Sequence, residues 1–246
     1  MSAGLAFDDR RHRYTLDGKR IPSVTTILGA LDKPGLPYWS AGLVARDAIT
    51  NHDYWGQRIH NGEDPEQVIR DLKRTPWKER DKAARRGTRI HQVLEAAAHG
   101  DPTDCPQDLL PMAQQAVDLL DREDVRTLET EARGYSRELW YAGTIDLIAT
   151  VRGETWLLDW KSSRSIHETH VMQVAAYAHM GTILTIDGEE KPMPHIDRLG
   201  IIHISDNNAS LVDVGTPDGP AWDMFQAAHT IHSHMWEITN MIKEEA

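Results

Sequence analysis

The chain is poor in cysteine and in long apolar runs. Its single cysteine, Cys105, excludes an intramolecular disulfide framework and favours a reducing compartment. No apolar run approaches the roughly 20 residues that a membrane-spanning helix requires, and the N-terminus lacks the apolar core of a signal peptide. We therefore expect a globular cytoplasmic protein with no membrane partner.

Positive charge is also scarce. The 246 residues include 27 lysines and arginines against 38 aspartates and glutamates, so the formal net charge is −11. This balance excludes a uniformly basic surface that would coat nucleic acid, although a local basic groove remains compatible with it. The length favours one substantial core with appended helices.

The order of periodic segments predicts a mixed α/β domain that is preceded by helices. A hairpin is expected around Asp17-Gly18, followed by a short helix capped by Ser23. Residues 1–75 are predicted to form this hairpin and a helical annex, and residues 76–246 to form the core with a C-terminal helix. The predicted strands span residues 126–136, 139–151, 155–161, 197–205 and 209–214. The main predicted helices span two or three segments within 38–72, then 76–99, 106–122, 167–182 and the chain from about 219.

Charged residues interrupt two strands that are otherwise apolar, in "GTIDLIATV" and "TWLLDWK". If Arg152-Gly153 forms a two-residue turn, Val151 pairs with Glu154, and Asp146 then lies opposite Asp159. Alternation predicts that one face of the first strand carries a single apolar set, namely Ile145, Leu147, Ala149 and Val151.

Two carboxylates that face each other require a cation. Opposed Cβ atoms lie about 4.5–5.5 Å apart, so Asp146 and Asp159 would repel each other unless a positive charge were near. Hard carboxylate ligands suit Mg²⁺ or Mn²⁺, and Lys161 on the same face could hold a water or stabilise charge on a phosphate. The alternative is a surface hairpin whose charges pair in solvent.

A polar pair follows in "MQVAAYA". Gln173 and Tyr177 are four residues apart, which makes them neighbours on one face of a predicted helix. They are either an amide and a phenol held over the site or polar residues at the edge of a packed helix.

Three segments resemble, in order, the motifs of the PD-(D/E)XK nuclease superfamily. "GTIDLIA" is similar to its G-x-x-D motif, "LLDWKSS" to D-x-K and "QVAAY" to Q-x-x-x-Y. The branch with the greatest similarity contains RecB-like and Cas4-like nucleases, phage-type exonucleases and the mitochondrial genome-maintenance exonuclease. Its upstream segments resemble "IPSVTTIL" and "RGTRIHQVLE", so the resemblance extends from about residue 14 to 180. It implies a PD-(D/E)XK core, with a central mixed β-sheet between helices, behind an N-terminal helical annex.

This resemblance also implies the roles of individual residues. One or two Mg²⁺ or Mn²⁺ ions would be bound by His91, Glu131, Asp146, Asp159 and the backbone carbonyl of Trp160. Glu129, on the same strand face, is the alternative to Glu131, and Glu95 would support the ligands. The catalytic set would comprise Asp146, Asp159, Lys161, Gln173 and Tyr177. Several members of the branch hold an iron–sulfur cluster with four cysteines, which the lone Cys105 excludes within this chain.

The function implied is a metal-dependent DNA exonuclease that acts on single-stranded ends in replication, recombination or repair. The alternatives are a structure-specific endonuclease of the same fold and a non-catalytic DNA-end-binding recombination protein. Expected partners are DNA with a free end and phage or host recombination proteins, in a bacterial or phage-infected cell. The sequence contains no G-x-x-x-x-G-K-[ST] loop, so we expect a free-standing nuclease without a fused ATPase.

The residues expected to contact DNA flank these motifs. "KERDKAARRGTRIH" places Arg85, Arg86 and Arg89 before the helical histidine, and Ser162 and Ser163 follow the lysine. The arginines could equally form a solvated helix face, and the serines could be caps. Exposed tryptophan and tyrosine pairs near residues 38 and 54 could stack unpaired bases or pack between helices.

Overall fold

The computed structural model describes residues 4–9, 11–100, 105–205 and 207–244, and it has the mixed α/β architecture that the sequence predicts. The helices are α1 (Val24–Leu28), α2 (Gly35–Thr50), α3 (His52–His60), α4 (Pro65–Leu72), α5 (Thr75–Ala98), α6 (Leu110–Arg122), α7 (Glu168–Ala178) and α8 (Pro220–Glu244). The strands are β1 (Leu5–Asp8), β2 (Arg13–Leu16), β3 (Lys19–Ile21), β4 (Val125–Ser136), β5 (Tyr141–Val151), β6 (Glu154–Lys161), β7 (Thr182–Leu184), β8 (Glu190–Pro192), β9 (Arg198–Ile204) and β10 (Ala209–Gly215).

The larger sheet has seven strands in the order β10-β9-β6-β5-β4-β7-β8. Its neighbouring strands are antiparallel except for β6 and β9, which are parallel. A parallel pair requires a crossover, and α7 lies on the chain between these two strands. The smaller sheet has the order β1-β2-β3.

The predicted turn between β5 and β6 is confirmed. Arg152 and Gly153 have φ angles of 51° and 92°, the left-handed pair that matches the twist of a tight hairpin. Val151 consequently pairs with Glu154, and the paired region extends to Leu147 opposite Leu158. The turn residues thus determine the register of the two strands that carry the acidic motifs.

Helices cover both faces of this sheet. On one face, α7 and α8 contribute Val174, Ala175 and Phe225 to a buried cluster, which we call the α7 core. On the other face, α6 and the end of α5 contribute Leu94 and Leu119 to a second cluster, the α6 core. The central strands are buried on both sides, which explains their nearly continuous apolar sequence.

The chain divides into two compact units. The sheet unit comprises the described residues up to Leu31 and from Ile90, and the helical unit comprises residues 32–89. This division differs from the expected boundary at residue 75. The N-terminal hairpin belongs with the sheet because Tyr14 and Leu16 are buried in one cluster with Tyr135. Helix α5 continues from one unit into the other.

The secondary structure predicted from the sequence differs from the observed one mainly in short strands and at one helix end. Strands β1, β7 and β8 were not predicted, since each has only three or four residues and shows no clear alternation. Helix α7 ends at Ala178 rather than near residue 182, where β7 already begins. Among the described helices, none combines the length and the apolar character needed to span a lipid bilayer.

Candidate metal centre

The candidate site lies at the point where β5 and β6 stop pairing. Beyond Leu147 and Leu158, the Trp160 backbone N–H donates a hydrogen bond to Asp146 Oδ2 at 2.9 Å. A carboxylate therefore accepts a bond that a ladder carbonyl would accept in a continuous hairpin. One further step of the register would place Asp146 across from Asp159, as expected from the sequence.

In β5, the alternation of side chains between the two faces of the sheet shifts by one residue near Asp146. Ile145 lies in the α7 core, whereas Leu147 and Ala149 lie in the α6 core. The expectation that these residues share one face with Val151 was therefore wrong. The neighbouring strand β4 is also irregular at this level. Glu131, level with Asp146, has a left-handed φ of 48°, which interrupts the regular pleat of β4.

Three potential ligands from three different elements converge here. One ligand atom each from His91 of α5, Glu131 of β4 and Asp146 of β5 lies within 4.8 Å of the other two. His91 Nδ1 is 3.5 Å from Asp146 Oδ2. Glu129, the sequence alternative to Glu131, forms an ion pair with Lys191 instead. The geometry therefore selects Glu131 for this group.

The group concentrates negative charge in a partly buried space. Burial, together with the charges of Asp146 and Glu95, raises the pKa of Glu131 to about 7. Burial alone would also raise the pKa of Asp146, but its hydrogen bond to His91 and the charges of His91 and Lys161 lower it below the usual value. Burial would lower the pKa of His91, and its interactions with Asp146 raise it. A bound cation would relieve this competition for protons.

Asp159 lies beside this group and is almost completely buried, with 1% of its side chain exposed. Its Oδ1 accepts a hydrogen bond from Gln173 Nε2 at 3.1 Å, and its Oδ2 lies 2.5 Å from Lys161 Nζ. Within the described residues, Oδ2 therefore has this ion pair but no other polar partner. Burial and the charge of Asp146 raise the pKa of Asp159, against the effect of Lys161. Oδ2 can therefore still accept a hydrogen bond from a ligand or coordinate a cation.

Helix α7 orients Asp159. Gln173 Nε2 donates to Tyr177 Oη at 2.9 Å as well as to Asp159, so one amide holds both side chains. Burial, and then the charges of Asp159 and Asp146, raise the pKa of Tyr177 well above its usual value. The phenol therefore stays neutral.

Gly143 of β5 makes room for the tyrosine ring. A Cβ at this position would lie 2.5 Å from Tyr177 Cε1. Glycine within a strand commonly marks such a close approach, and the glycine of "GTID" carries this signal in the sequence.

Trp160 has two different environments. Its indole is buried in the α6 core, while its N–H points towards β5. The N–H and C=O of one strand residue point to the same edge, so its carbonyl also faces the gap beside Asp146. This orientation is the one that the predicted carbonyl ligand requires.

The residues predicted to contact DNA are not gathered in this group. Arg85, Arg86 and Arg89 are exposed on the part of α5 that belongs to the helical unit. Ser162 is exposed next to Lys161. The Ser163 hydroxyl donates to the carbonyl of Ser165 at 2.7 Å, which ties it to its own loop.

Two neighbours of the site carried no sequence signal. The Tyr14 hydroxyl of the N-terminal hairpin lies 2.6 Å from Thr144 Oγ1, and burial raises its pKa against the effects of this hydrogen bond and of the charge of Arg133. The charge of Arg133 also opposes the rise that burial causes in the pKa of Glu131. Tyr14 comes from a distant part of the chain, so only the folded structure places it near the carboxylates, whereas Arg133 lies two residues from Glu131 on the same strand.

Comparison of the chain with protein-family models and with curated proteins gave no match.

Proposed function

We propose that the protein is a metal-dependent deoxyribonuclease that acts as an exonuclease on single-stranded DNA ends. The observation that carries this proposal is the meeting of the group His91, Glu131 and Asp146 with the Asp159–Lys161 pair where two strands part. The sequence resemblance to the PD-(D/E)XK superfamily assigns roles to the same residues. We propose accordingly that the seven-stranded sheet is the core of that fold, and that the protein processes DNA ends in recombination or repair.

The donor set fits Mg²⁺ or Mn²⁺. Carboxylate and carbonyl oxygens are the ligands that these ions prefer, and they make up all of the donor set except the imidazole of His91. Asp159 Oδ2 is a buried acceptor without a hydrogen bond among the described residues. The residues that would hold one or two ions are His91, Glu131, Asp146, Asp159 and the carbonyl of Trp160. A bound divalent ion supplies Lewis-acid activation of water and of the phosphodiester.

The chain itself would contribute positioning and positive charge. The Lys161 ammonium is held at 2.5 Å from Asp159, from where it could donate hydrogen bonds to a phosphate oxygen as negative charge grows there. Gln173 fixes the Asp159 carboxylate, and Tyr177 fixes Gln173. Because Tyr177 stays neutral, its role in this scheme is to position other groups rather than to transfer a proton.

The experiment that tests this proposal compares linear and circular single-stranded DNA of the same sequence. We expect hydrolysis of the labelled linear strand with Mg²⁺ or Mn²⁺, no hydrolysis in EDTA, and survival of the circle, since an exonuclease requires an end. Nicking of the circle would instead indicate an endonuclease with the same site. Tight binding of ends without hydrolysis in either metal would indicate a non-catalytic end-binding protein.

A further inference from the structure

The helical unit contains an apolar groove that the proposed active site does not use. The groove lies between α2 and α5, has a volume of about 880 Å³, and is lined only by residues of this unit. Helix α2 has no buried residue along its 16 positions, so its apolar side chains remain open. The lining includes Trp39, Val44, Ala48, Pro76, Trp77 and Arg80.

Two indoles lie in this groove and are available to a ligand. Trp39 is 46% exposed and Trp77 is 55% exposed, so about half of each side chain is open to solvent. The Thr75 hydroxyl donates to Asp47 Oδ2 at 2.5 Å, which ties α5 to α2 close to the groove. This contact holds the two helices that line the groove together.

The charge around the groove identifies the class of ligand. The helical unit has 12 lysines and arginines against 9 aspartates and glutamates, a net charge of +3, which leaves −14 for the rest of a chain whose total is −11. Residues 73–89 alone carry 8 basic against 2 acidic side chains. Lys73 and Arg80 line the groove together with one acid, Glu79, and Arg80 also pairs with the neighbouring Asp81 at 2.8 Å. This local excess of positive charge is complementary to a polyanion.

We propose that the groove binds single-stranded DNA, with unpaired bases stacked on Trp39 and Trp77 and phosphates beside Lys73 and Arg80. Aromatic platforms flanked by basic side chains are the combination that single strands recognise, because every base has an apolar face next to a charged backbone. A purely apolar protein segment would use the indoles but would gain nothing from the cations. This inference deepens the proposed nuclease function and rests on it for the choice of DNA.

The test measures binding without cleavage. Fluorescence anisotropy in EDTA compares a labelled oligo(dT) with an abasic strand of equal length, using the full chain. The wild type should prefer oligo(dT), since only this strand can stack. The double variant Trp39→Ala/Trp77→Ala should bind oligo(dT) at least about tenfold more weakly and bind the abasic strand as before. Tyr38→Ala is the matched control, because Tyr38 is 83% exposed but does not line the groove.

A second pair of variants separates stacking from charge. Lys73→Gln/Arg80→Gln should weaken binding of both strands by the same factor, whereas Arg46→Gln, outside the groove, should change neither. If the alanine double variant fails to fold by circular dichroism, Trp39→Leu/Trp77→Leu keeps apolar volume and removes only the aromatic faces. It should show the same selective loss.

Unchanged preference for oligo(dT) in the folded tryptophan variants would overturn the inference and assign the groove to another partner. An equal loss for both strands would also overturn it, because stacking would then contribute nothing. If the nuclease proposal were wrong, the measurements would give a different result. Oligo(dT) would still bind through the groove in EDTA, but no divalent ion would produce cleavage.

Discussion

The two units stabilise their structures in different ways. In the sheet unit, apolar side chains are buried on both faces of a seven-stranded sheet, and the excess charge is negative. In the helical unit, the buried apolar side chains of α2 to α4 are Trp55 and Val68, while polar contacts such as Thr75 to Asp47 join the helices. The close packing of the sheet unit can hold carboxylates in buried positions that are energetically unfavourable. The exposed, net positive helical unit is better suited to bind an anionic chain.

Helix α5 shows the same contrast within one element. Its last turns bury Ile90, Leu94 and Ala97 and present His91 to the carboxylates. Its earlier turns expose a run of arginines and lysines. The backbone is helical throughout, so the difference comes from the side chains and their surroundings. The residues proposed for chemistry and those proposed for binding can therefore be changed separately.

The largest effect is expected from Asp159→Asn in the sheet unit. Hydrolysis of linear single-stranded DNA with Mg²⁺ should fall by about 10²–10³-fold or more, because a buried charged acceptor is lost. The melting temperature should not fall, since the carboxylate being replaced is repelled by Asp146. DNA affinity in EDTA should persist. Asp187→Asn, at an exposed turn, is the control, and full activity of Asp159→Asn would exclude the proposed site.

A second change tests the close packing of the sheet unit. Gly143→Ala would place a methyl group 2.5 Å from Tyr177 Cε1 and 3.2 Å from Met180 Cε, so both side chains must move. We expect a loss of about 1–3 kcal/mol in the free energy of unfolding by urea, with lower activity. Gly181→Ala serves for comparison because its Cβ meets nothing within 4 Å. Equal stability of the two variants would mean that Tyr177 is not tightly held.

The helical unit should respond to the loss of a polar contact. Asp47 accepts hydrogen bonds from Thr75, Asn51 and Trp55, and these outweigh the effect of burial, so its pKa lies below the usual 3.8. Asp47→Asn should lower the local stability by about 1–2 kcal/mol near neutral pH, measured by amide hydrogen exchange in α2 and α3. Asp32→Asn, at an exposed position, should have no such effect.

The same carboxylate predicts a pH dependence. A folded-state pKa below the unfolded value stabilises the protein above the unfolded pKa, and this stabilisation is lost as the pH falls through the folded pKa. The difference between wild type and Asp47→Asn should therefore be constant near neutral pH and shrink below about pH 4. A difference that does not depend on pH would show that the charge of Asp47 does not stabilise the unit.

The smallest effect is expected from Arg85→Gln/Arg86→Gln. Affinity for single-stranded DNA should fall severalfold, and the slope of log affinity against log salt should decrease by roughly one, because up to two phosphate contacts are lost. Hydrolysis at saturating DNA should not change. The double variant Arg126→Gln/Arg152→Gln, which removes two exposed cations of the sheet unit, provides the comparison. If both double variants lost DNA affinity to a similar extent, DNA binding could not be assigned to the helical unit in preference to the sheet unit.

Much of the fold could be predicted because local signals agree with the global pattern. The Arg152-Gly153 turn determined the β5–β6 register, and the Thr75-Pro76 start and Gly100 stop bracketed α5. Alternating or periodic apolar residues located the long strands and helices. These signals depend only on residues that are near one another in the sequence.

The remaining features depend on contacts between distant residues. The change of faces at Asp146 lies level with the left-handed backbone of Glu131 on the neighbouring strand, and no periodicity in the sequence encodes either feature. Glu131 lies with His91 and Asp146 while Glu129 pairs with Lys191, which is 62 residues away in the sequence, and neither contact could be predicted from the sequence. The assignment of the N-terminal hairpin to the sheet unit likewise rests on buried contacts of Tyr14 and Leu16 with Tyr135.

The backbone of Glu131 has a consequence for protein engineering. A left-handed conformation costs a non-glycine residue about 1–2 kcal/mol, and glycine at this position would avoid that cost. A laboratory selection for heat resistance alone would therefore favour Glu131→Gly and discard one of the three converging ligands. Stability and the retention of a proposed metal ligand therefore oppose each other at this residue, so a thermostabilised form of the protein should be sought by changes elsewhere in the sheet.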